Sequence, residues 1–280
     1  MAVSLSTNFV TLFDAEVKQA YQSEQKLMGT CRSRMGVVGS TVQFPKIGKG
    51  IAQARIPQTD VVPLNVAHTN VTATMSDYVA PEYTDIFDQS HVNYEERQEL
   101  VQVVAKAIGR RADQIKLDAL TASSTSLTVS NDIGGTDTNL NVAKIREAKR
   151  LLDGNNVPKE GRYFTMHADG LASLLGETEI GSTDYNAVRA LVQGEVNTYL
   201  GFTFITFGDM DEGGLAIDGS SDRSSFAWHK DALGYAESMS QKTEINYVPE
   251  KTSWLVTSML SAGAVAIDDE GIVKITTREA

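Results

Sequence analysis

A stretch of alternating, β-type sequence precedes a long helical pattern in this chain, and no neighbouring segment supplies it with further strands. Residues 36–76 read as strand, turn and strand, with Gly48-Lys49-Gly50 at the bend and Pro57 and Pro63 on the return leg. A two-stranded ribbon alone is only marginally stable in water. The ribbon therefore needs another surface, and we expect that surface to belong to a neighbouring copy of the same chain.

The ribbon's side chains indicate where its strands lie. The pattern predicts two short strands between Val37 and Ile56, joined by the glycine-rich turn. Residues 66–87 alternate apolar and polar side chains, which predicts a half-buried strand that returns the chain to its body. Pro81 interrupts this run and indicates a position at the edge of a sheet, because proline cannot donate a ladder hydrogen bond.

The length and composition are those of a globular protein with one large domain or two modest ones. The chain has 280 residues, of which 41% are hydrophobic, enough for a packed core. We find no run of about 18 apolar residues and no secretory pattern at the N-terminus, so a cytosolic origin and no membrane partner are expected. A single cysteine, Cys31, fits a reducing compartment.

Charge is distributed unevenly along the chain. The net charge of −11 argues against a protein that grips nucleic acid through its phosphates. Residues 31–68 nevertheless carry five basic side chains against Asp60 alone, whereas the residues after 68 carry 18 basic and 32 acidic side chains. The segment is either a solvated basic loop or a basic arm that lies across the acidic body of the next subunit and fixes its register.

Two helices are predicted in the first half of the chain. The apolar spacing from Thr11 to Met28 predicts an amphipathic helix that ends near Gly29. A second helix begins at Asn93, where Glu96 completes a capping box, and runs to Leu120 as a rod of about 42 Å. One apolar stripe follows this rod, and Gly109 is its only weak position; the stripe comprises Leu100, Val101, Val104, Ile108, Ala112 and Ile115.

The second half predicts an α+β arrangement. A polar tract at 121–141 is the most plausible internal boundary, and helix and strand alternate after it. Helices are expected at 142–152, 171–175 and 183–192; strands at 163–167, 202–207, 226–228, 236–248, 253–267 and 272–276; and a loop at 208–225. In the longest strand one face carries Trp254, Val256, Ser258, Leu260 and Ala262.

Signals for an enzyme are weak. The Gly48-Lys49-Gly50 sequence lacks the third glycine and the following helix of a dinucleotide loop. Two His-x-Asp sequences, at 167–169 and 229–231, could orient an imidazole for metal binding or catalysis, but a strand-to-helix junction with the Asp at the helix N-terminus is favoured. The acidic run at 209–213 departs from a calcium loop. We therefore expect neither catalytic residues, nor a cofactor, nor a metal site.

Three stretches resemble a known family. Residues 148–164 run as a helix, the turn Asp153-Gly154-Asn155-Asn156, and a strand; residues 227–233 and the pair 263–265 and 270–273 fit the same pattern. Together with the order of elements, they resemble the major capsid proteins of tailed bacteriophages with the HK97-type fold. The resemblance implies an N-terminal arm (1–35), an extended β loop (36–76), a peripheral domain with the spine helix (77–122 and 251–280) and an axial domain (123–250).

The resemblance also implies a function. It implies a structural protein whose copies form hexamers and pentamers of an icosahedral shell around double-stranded DNA, without sequence-specific binding. It further implies a scaffolding protein, a portal protein, a possible cement protein, assembly in the host cytoplasm and a final place in the virion. The expected inter-subunit contacts are Phe44, Lys46, Lys49, Ile51 and Arg55. The alternative is an encapsulin-like shell that encloses cargo enzymes, and an enzyme ranks third.

Overall fold

A computed structural model describes residues 22–55, 57–58, 60, 63–87, 96–177, 198–209 and 212–279. Within these ranges the helices are α1 (Glu96–Ala122), α2 (Val142–Gly154) and α3 (Ala168–Leu175). The strands of the first half are β1 (Arg32–Arg34), β2 (Thr41–Ile47), β3 (His68–Thr74), β4 (Ser76–Asp85) and β5 (Thr128–Val129). Those of the second half are β6 (Arg162–His167), β7 (Thr198–Tyr199), β8 (Phe202–Phe207), β9 (Asp222–His229), β10 (Leu233–Val248), β11 (Ser253–Ala266) and β12 (Ile272–Arg278).

These strands form three sheets. One has the order β1-β10-β11-β4, a second has the order β5-β12-β9-β6-β8-β7, and β2 pairs with β3 alone. β4 lies at an edge of its sheet, which confirms the edge position indicated by Pro81. The mixed helix and sheet content confirms the predicted α+β class.

The long helix α1 packs on the four-stranded sheet. Its 27 residues make a rod of about 40 Å, and Val104, Ile108 and Ala112 of the predicted stripe are buried. β11 turns Val256 and Leu260 of its predicted apolar face into this core. The spine is therefore confirmed, while its predicted cap at Asn93 and the helix predicted at 183–192 lie outside the described residues.

The six-stranded sheet has its own core, to which α2 and α3 contribute. Ile145 and Leu152 of α2 pack with Phe164 and Val273 of the sheet. The turn after α2 is fixed by the buried Arg162, whose guanidinium donates to Asp153 Oδ1 at 2.7 Å and to the carbonyl oxygens of Val157 and Pro158 at 2.6 and 2.8 Å. The helix, turn and strand expected over residues 148–164 are therefore confirmed.

Two predictions in the first half of the chain are wrong. Residues 22–28, the described part of the predicted 11–28 helix, are not helical. The partner of β2 is β3, with Thr41 opposite Thr74 and Ile47 opposite His68, so residues 51–55 form no strand. Among the described helices, none combines the length and hydrophobicity needed to cross a bilayer.

Candidate assembly interface

The ribbon predicted from the sequence is a hairpin with a long loop, here called the arm: β2, β3 and residues 48–67 between them. The Gly48 N–H donates to the Ala67 carbonyl oxygen at 2.8 Å and closes the neck of this loop. The Gly48-Lys49-Gly50 sequence is thus where the loop begins, not a tight turn. The loop is long enough to project from the subunit.

The root of the arm packs against its own subunit. Phe44 is fully buried, and Val42 and Ala73 beside it are nearly so. They form a small core with Ala236 of β10 and Ile267, which follows β11. The premise that the ribbon finds no partner within its own chain is therefore wrong for the root, because burying these side chains stabilises it in place. Phe44 is directed into this core, and its predicted role between subunits stays a prediction.

We expect Phe44→Ala to destabilise the isolated subunit. Truncating a buried phenylalanine removes apolar burial and leaves a cavity, a loss of about 3–5 kcal/mol in the free energy of unfolding. Ile51→Ala, at an exposed position of the same arm, should change that free energy by less than about 0.5 kcal/mol. Urea unfolding of both variants measures the difference, and equal stabilities would contradict an anchored root.

Two basic residues of the arm pair with acidic residues of their own subunit. Lys46 Nζ lies 2.8 Å from Asp268 Oδ1, and Lys49 Nζ contacts Glu270 Oε2. The hydrogen bond that Lys49 donates to Glu270 raises the pKa of Lys49. Both pairs are partly exposed, so their contribution is small and sensitive to salt. The basic residues of the arm thus form ion pairs with acidic residues of the same subunit, across the neck of the arm.

Beyond the neck, the loop presents apolar and basic side chains to solvent. Ile51 is 82% exposed and Leu64 is also largely exposed, as is Ile47, the last residue of β2 just before the neck. Arg55 is exposed and makes no ion pair with another described residue. A solvated arm has no need of three exposed aliphatic side chains, and exposed apolar surface of this kind commonly marks interaction sites. Of the five predicted contacts, Ile51 and Arg55 are exposed and make no ion pair within the described part of the subunit.

A second exposed apolar region lies at the far end of the four-stranded sheet, here called the distal end: residues 83–87 and 245–252. Its large side chains are between 39% and 66% exposed and comprise Tyr83, Ile86, Phe87, Ile245 and Tyr247. The carboxylates of Glu82, Asp85 and Glu250 outnumber two cations, Lys251 at 3.9 Å over the Tyr83 ring and Arg97 at 5.1 Å over the Trp254 ring, which leaves a small net negative charge. Sequence reasoning missed this region, although the aromatic residues beside the edge position of Pro81 could have indicated it.

The arm and the distal end lie at opposite ends of one sheet. β4 starts beside the root of the arm, where Ser76 pairs with Ala262, and ends at the distal end, where Asp85 pairs with Ser253. Ten residues of strand separate them by about 30 Å. The subunit therefore has an apolar, basic projection at one end and an apolar, acidic surface at the other.

The N-terminal segment at residues 22–31 is fixed to α1 by a buried ion pair, here called the clasp: Asp113 and Lys116. Asp113 accepts the backbone N–H groups of Lys26 at 2.5 Å and Leu27 at 3.1 Å, and Lys116 Nζ donates to the Leu27 carbonyl oxygen at 3.2 Å. Both side chains are 2% exposed. Burial raises the pKa of Asp113, against the opposing influence of Lys116 and of the two amide donors. The clasp thus replaces the helix predicted at these residues.

The weak position in the spine, Gly109, lies beside this contact. A side-chain carbon at Gly109 would lie 3.4 Å from Gln25 Cβ and 3.7 Å from the Gln25 backbone nitrogen, which are ordinary contact distances. The N-terminal segment therefore runs directly along this part of the helix. Farther along, the Trp228 indole N–H donates to the Thr30 carbonyl oxygen at 3.0 Å and continues the attachment.

The two His-x-Asp sequences occupy strand-to-helix junctions, as favoured by the sequence. The Nδ1 atoms of His167 and His229 accept the backbone N–H groups of Asp169 and Asp231, each at 3.3 Å. Each histidine follows its strand and precedes a helical turn. This junction is confirmed for both sequences.

Comparison with known proteins identifies the family. A family model described as phage capsid protein matches residues 5–279, nearly the whole chain. The chain belongs to the phage capsid protein family. A search of curated protein sequences gives no match. The family match favours a phage capsid over the encapsulin-like alternative, and it identifies this capsid protein as a structural protein and not an enzyme.

Solved capsid structures have the same fold as this capsid protein. The head of Helicobacter pylori bacteriophage KHP40 gives a TM-score of 0.78 at 12% identity, with 99% of this chain and 98% of that chain covered. The capsid of cyanophage P-SCSP1u gives 0.75 at 15% identity, covering 98% and 94%. Mycobacterium phage Che8 gives 0.74 at 16% identity, covering 96% and 97%. These likenesses confirm the HK97-type capsid fold expected from the sequence.

Membership in this family shows in general terms where the chain is located and what it associates with. A capsid protein associates with copies of itself in the shell and is part of the virion. The interface that matters is therefore the one between copies, and the arm and the distal end are its candidates.

Proposed function

We propose that this chain is the major capsid protein of a tailed phage and forms the hexamers and pentamers of an icosahedral shell around double-stranded DNA. The observation that carries the proposal is the placement of two unlike exposed regions, the arm loop and the distal end, at opposite ends of the subunit. Contacts between unlike surfaces are heterologous, and they generate closed rings when the rotation between subunits closes. Such a subunit suits a ring-forming capsomer.

In this proposal the arm is the main inter-subunit contact. Ile51 and Arg55 lie against the acidic, apolar distal end of a neighbour, while Phe44 fixes the root that holds them in position. Lys46 and Lys49 hold the neck through their own subunit and meet the neighbour beside it. Opposite charge on the two surfaces supports this register.

The proposed domain boundaries are those indicated by the sequence. Residues 1–35 form an N-terminal arm, distinct from the arm defined above, and residues 36–76 form the extended loop. Residues 77–122 with 251–280 form the peripheral domain, and 123–250 form the axial domain. The core that α2 and α3 form with one face of the six-stranded sheet supports an axial unit. The core under α1 also includes Phe226, Trp228 and Ile272 of that sheet and joins it to the four-stranded sheet.

Further partners belong to the proposal as well. We place assembly in the host cytoplasm with a scaffolding protein, a portal protein at one vertex and a cement protein as an optional outer partner. The net charge of −11 supports a wall that encloses DNA without immobilising it, because a strongly basic lining would bind phosphates tightly.

Size-exclusion chromatography followed by negative-stain electron microscopy tests the proposal. The purified chain, alone and coexpressed with a candidate scaffolding protein, should give rings or closed particles of uniform diameter. Particles that package cargo enzymes encoded beside it would instead support the encapsulin-like alternative. A protein that stays monomeric in both preparations would overturn the proposed assembly.

A further inference from the structure

One of the two His-x-Asp sequences lies in a cluster of charged side chains outside the inter-subunit contacts proposed above. His167 is 4% exposed at the end of β6. Its Nδ1 lies 3.3 Å from Asp169 Oδ2 and 3.1 Å from Glu279 Oε1. Glu279 follows β12 and is 112 positions away in the sequence, so the fold brings these three residues together.

The atoms that meet here, His167 Nδ1 and one carboxylate oxygen each from Asp169 and Glu279, are all arranged as hydrogen-bond acceptors. Nδ1 accepts the Asp169 backbone N–H at 3.3 Å, so in this arrangement it carries a lone pair and not a proton. Two carboxylate oxygens face the same edge of the ring. Three electron-rich atoms within 4.8 Å of one another repel one another unless a cation lies among them.

Their spacing matches that of ligands around one ion. Zinc is bound at about 2.0–2.2 Å by histidine nitrogen and carboxylate oxygen, so neighbouring tetrahedral ligands lie about 3.3–3.5 Å apart. The two distances from Nδ1, 3.1 and 3.3 Å, approach this separation. The long hydrogen bond from the Asp169 N–H is weak enough to be replaced when the lone pair turns to an ion.

The surroundings have the features of an outer ligand shell. His167 Nε2 has no hydrogen-bond partner among the described residues, and Asp209 Oδ1 lies 3.2 Å away, off the hydrogen-bonding direction. A small ring rotation would give the arrangement in which a metal-bound histidine donates its second nitrogen to a carboxylate. Arg223 donates to Glu279 at 2.5 and 2.7 Å and to Asp209 at 2.8 Å, and orients both.

The charge of the cluster fits a divalent ion. Three carboxylates, Asp169, Asp209 and Glu279, face the single guanidinium of Arg223, which leaves two negative charges uncompensated when the imidazole is neutral. Asp169 and Asp209 are largely exposed and provide access from solvent, whereas His167 and Glu279 are buried. One nitrogen with carboxylate oxygens favours a transition metal over magnesium or calcium.

We propose that His167, Asp169 and Glu279 bind one divalent transition-metal ion of the zinc type. The ion ties the end of β12 to the junction of β6 and α3, two parts of the six-stranded sheet that are distant in sequence. The proposed metal site is independent of the contacts between subunits proposed above. The sequence-based expectation of no metal site treated His167 and His229 alike, and only the position of Glu279 separates them.

The second His-x-Asp sequence provides a matched control. His229 also caps a helical turn, with the same 3.3 Å contact to the backbone, but its Nδ1 lies 3.8 Å from Asp231 Oδ2. Among the described residues no third ligand completes a metal-binding group there. His229→Asn therefore removes an equivalent cap without removing a ligand.

Isothermal titration of the chelator-treated full chain with Zn²⁺, together with the visible absorption of added Co²⁺, tests the site. We expect one saturable Zn²⁺ ion per chain in the wild type and in His229→Asn. His167→Asn, which keeps a capping acceptor, and Glu279→Gln, which keeps the size of the side chain, should each weaken binding by about 100-fold.

The two ligand variants make the outcome decisive. If His167→Asn fails to fold, Glu279→Gln still reports on the site, because the glutamine keeps an oxygen that can accept from Arg223. Absence of saturable Zn²⁺ binding in the wild type would overturn the proposal. Binding that survives unchanged in Glu279→Gln would overturn it equally, since the ion would then lie elsewhere.

Discussion

Subunits that carry Ile51→Asp together with Arg55→Glu should fold normally and fail to form closed shells. Both side chains are exposed on the arm loop, so the substitutions remove no contact within the subunit. On assembly the aspartate would place a charge where an apolar contact is expected, and the glutamate would face the acidic distal end. Like charges brought together at an interface cost several kcal/mol. We expect the yield of closed particles to fall at least about tenfold, from an energy change above about 1.4 kcal/mol per contact.

A substitution outside the arm separates this effect from a general change in charge. Lys159→Glu changes the charge at an exposed residue in the turn after α2, far along the chain from the loop. Its particles should match those of the wild type in negative-stain images, and all three proteins should unfold at the same urea concentration. Normal shells from the arm variant would show that Ile51 and Arg55 are not the contacts that hold neighbours together.

Replacing Asp113 with alanine should produce the largest loss of stability among substitutions in the spine. The change leaves the Lys116 ammonium buried without its partner and removes the acceptor of the Lys26 and Leu27 N–H groups. Breaking a buried pair by removing one partner costs about 3–5 kcal/mol. Urea unfolding should show this loss, and hydrogen exchange should show faster exchange of the Lys26 and Leu27 amides.

The exposed ion pair on the same helix is the matched control. Lys106 Nζ lies 3.4 Å from Glu24 Oε1, and the carboxylate is mostly solvated. Lys106→Ala removes a contact with the same N-terminal segment and should change stability by less than about 1 kcal/mol. If Asp113→Ala were as mild as Lys106→Ala, the clasp would not be what fixes the segment to the helix.

Local signals in the sequence account for the elements that were predicted correctly. The apolar stripe of α1, the edge position of Pro81 and the junction at His167 each depend on a few neighbouring residues. A helix presents the same face every three to four residues, and a proline cannot donate within a ladder, wherever the rest of the chain lies. Such features can be read before the fold is known.

The errors arose where distant residues decide the structure. The glycines at 48 and 50 suggested a tight turn, but β2 pairs with β3 because Phe44 is buried against Ala236 and Ile267. Residues 22–28 have helical spacing, yet Asp113, more than 80 positions away, takes the backbone N–H groups that a helix would use. The spacing of residues in the sequence likewise gives no sign that Glu279 lies beside His167. Propensity is a weak guide when tertiary contacts of this kind compete with it.

The arm is joined to the rest of the subunit through a very short connection. Met75 alone separates β3 from β4, and its N–H donates to the Ser40 carbonyl oxygen at 2.9 Å. Beside it, a side chain on Gly263 would overlap the Thr74 carbonyl oxygen, so the two backbones lie in direct contact. This junction therefore holds the arm and the edge strand β4 tightly together. A movement of the arm would be transmitted to β4 and would twist the sheet beneath α1. A shell that changes its diameter would then deform each subunit along its length.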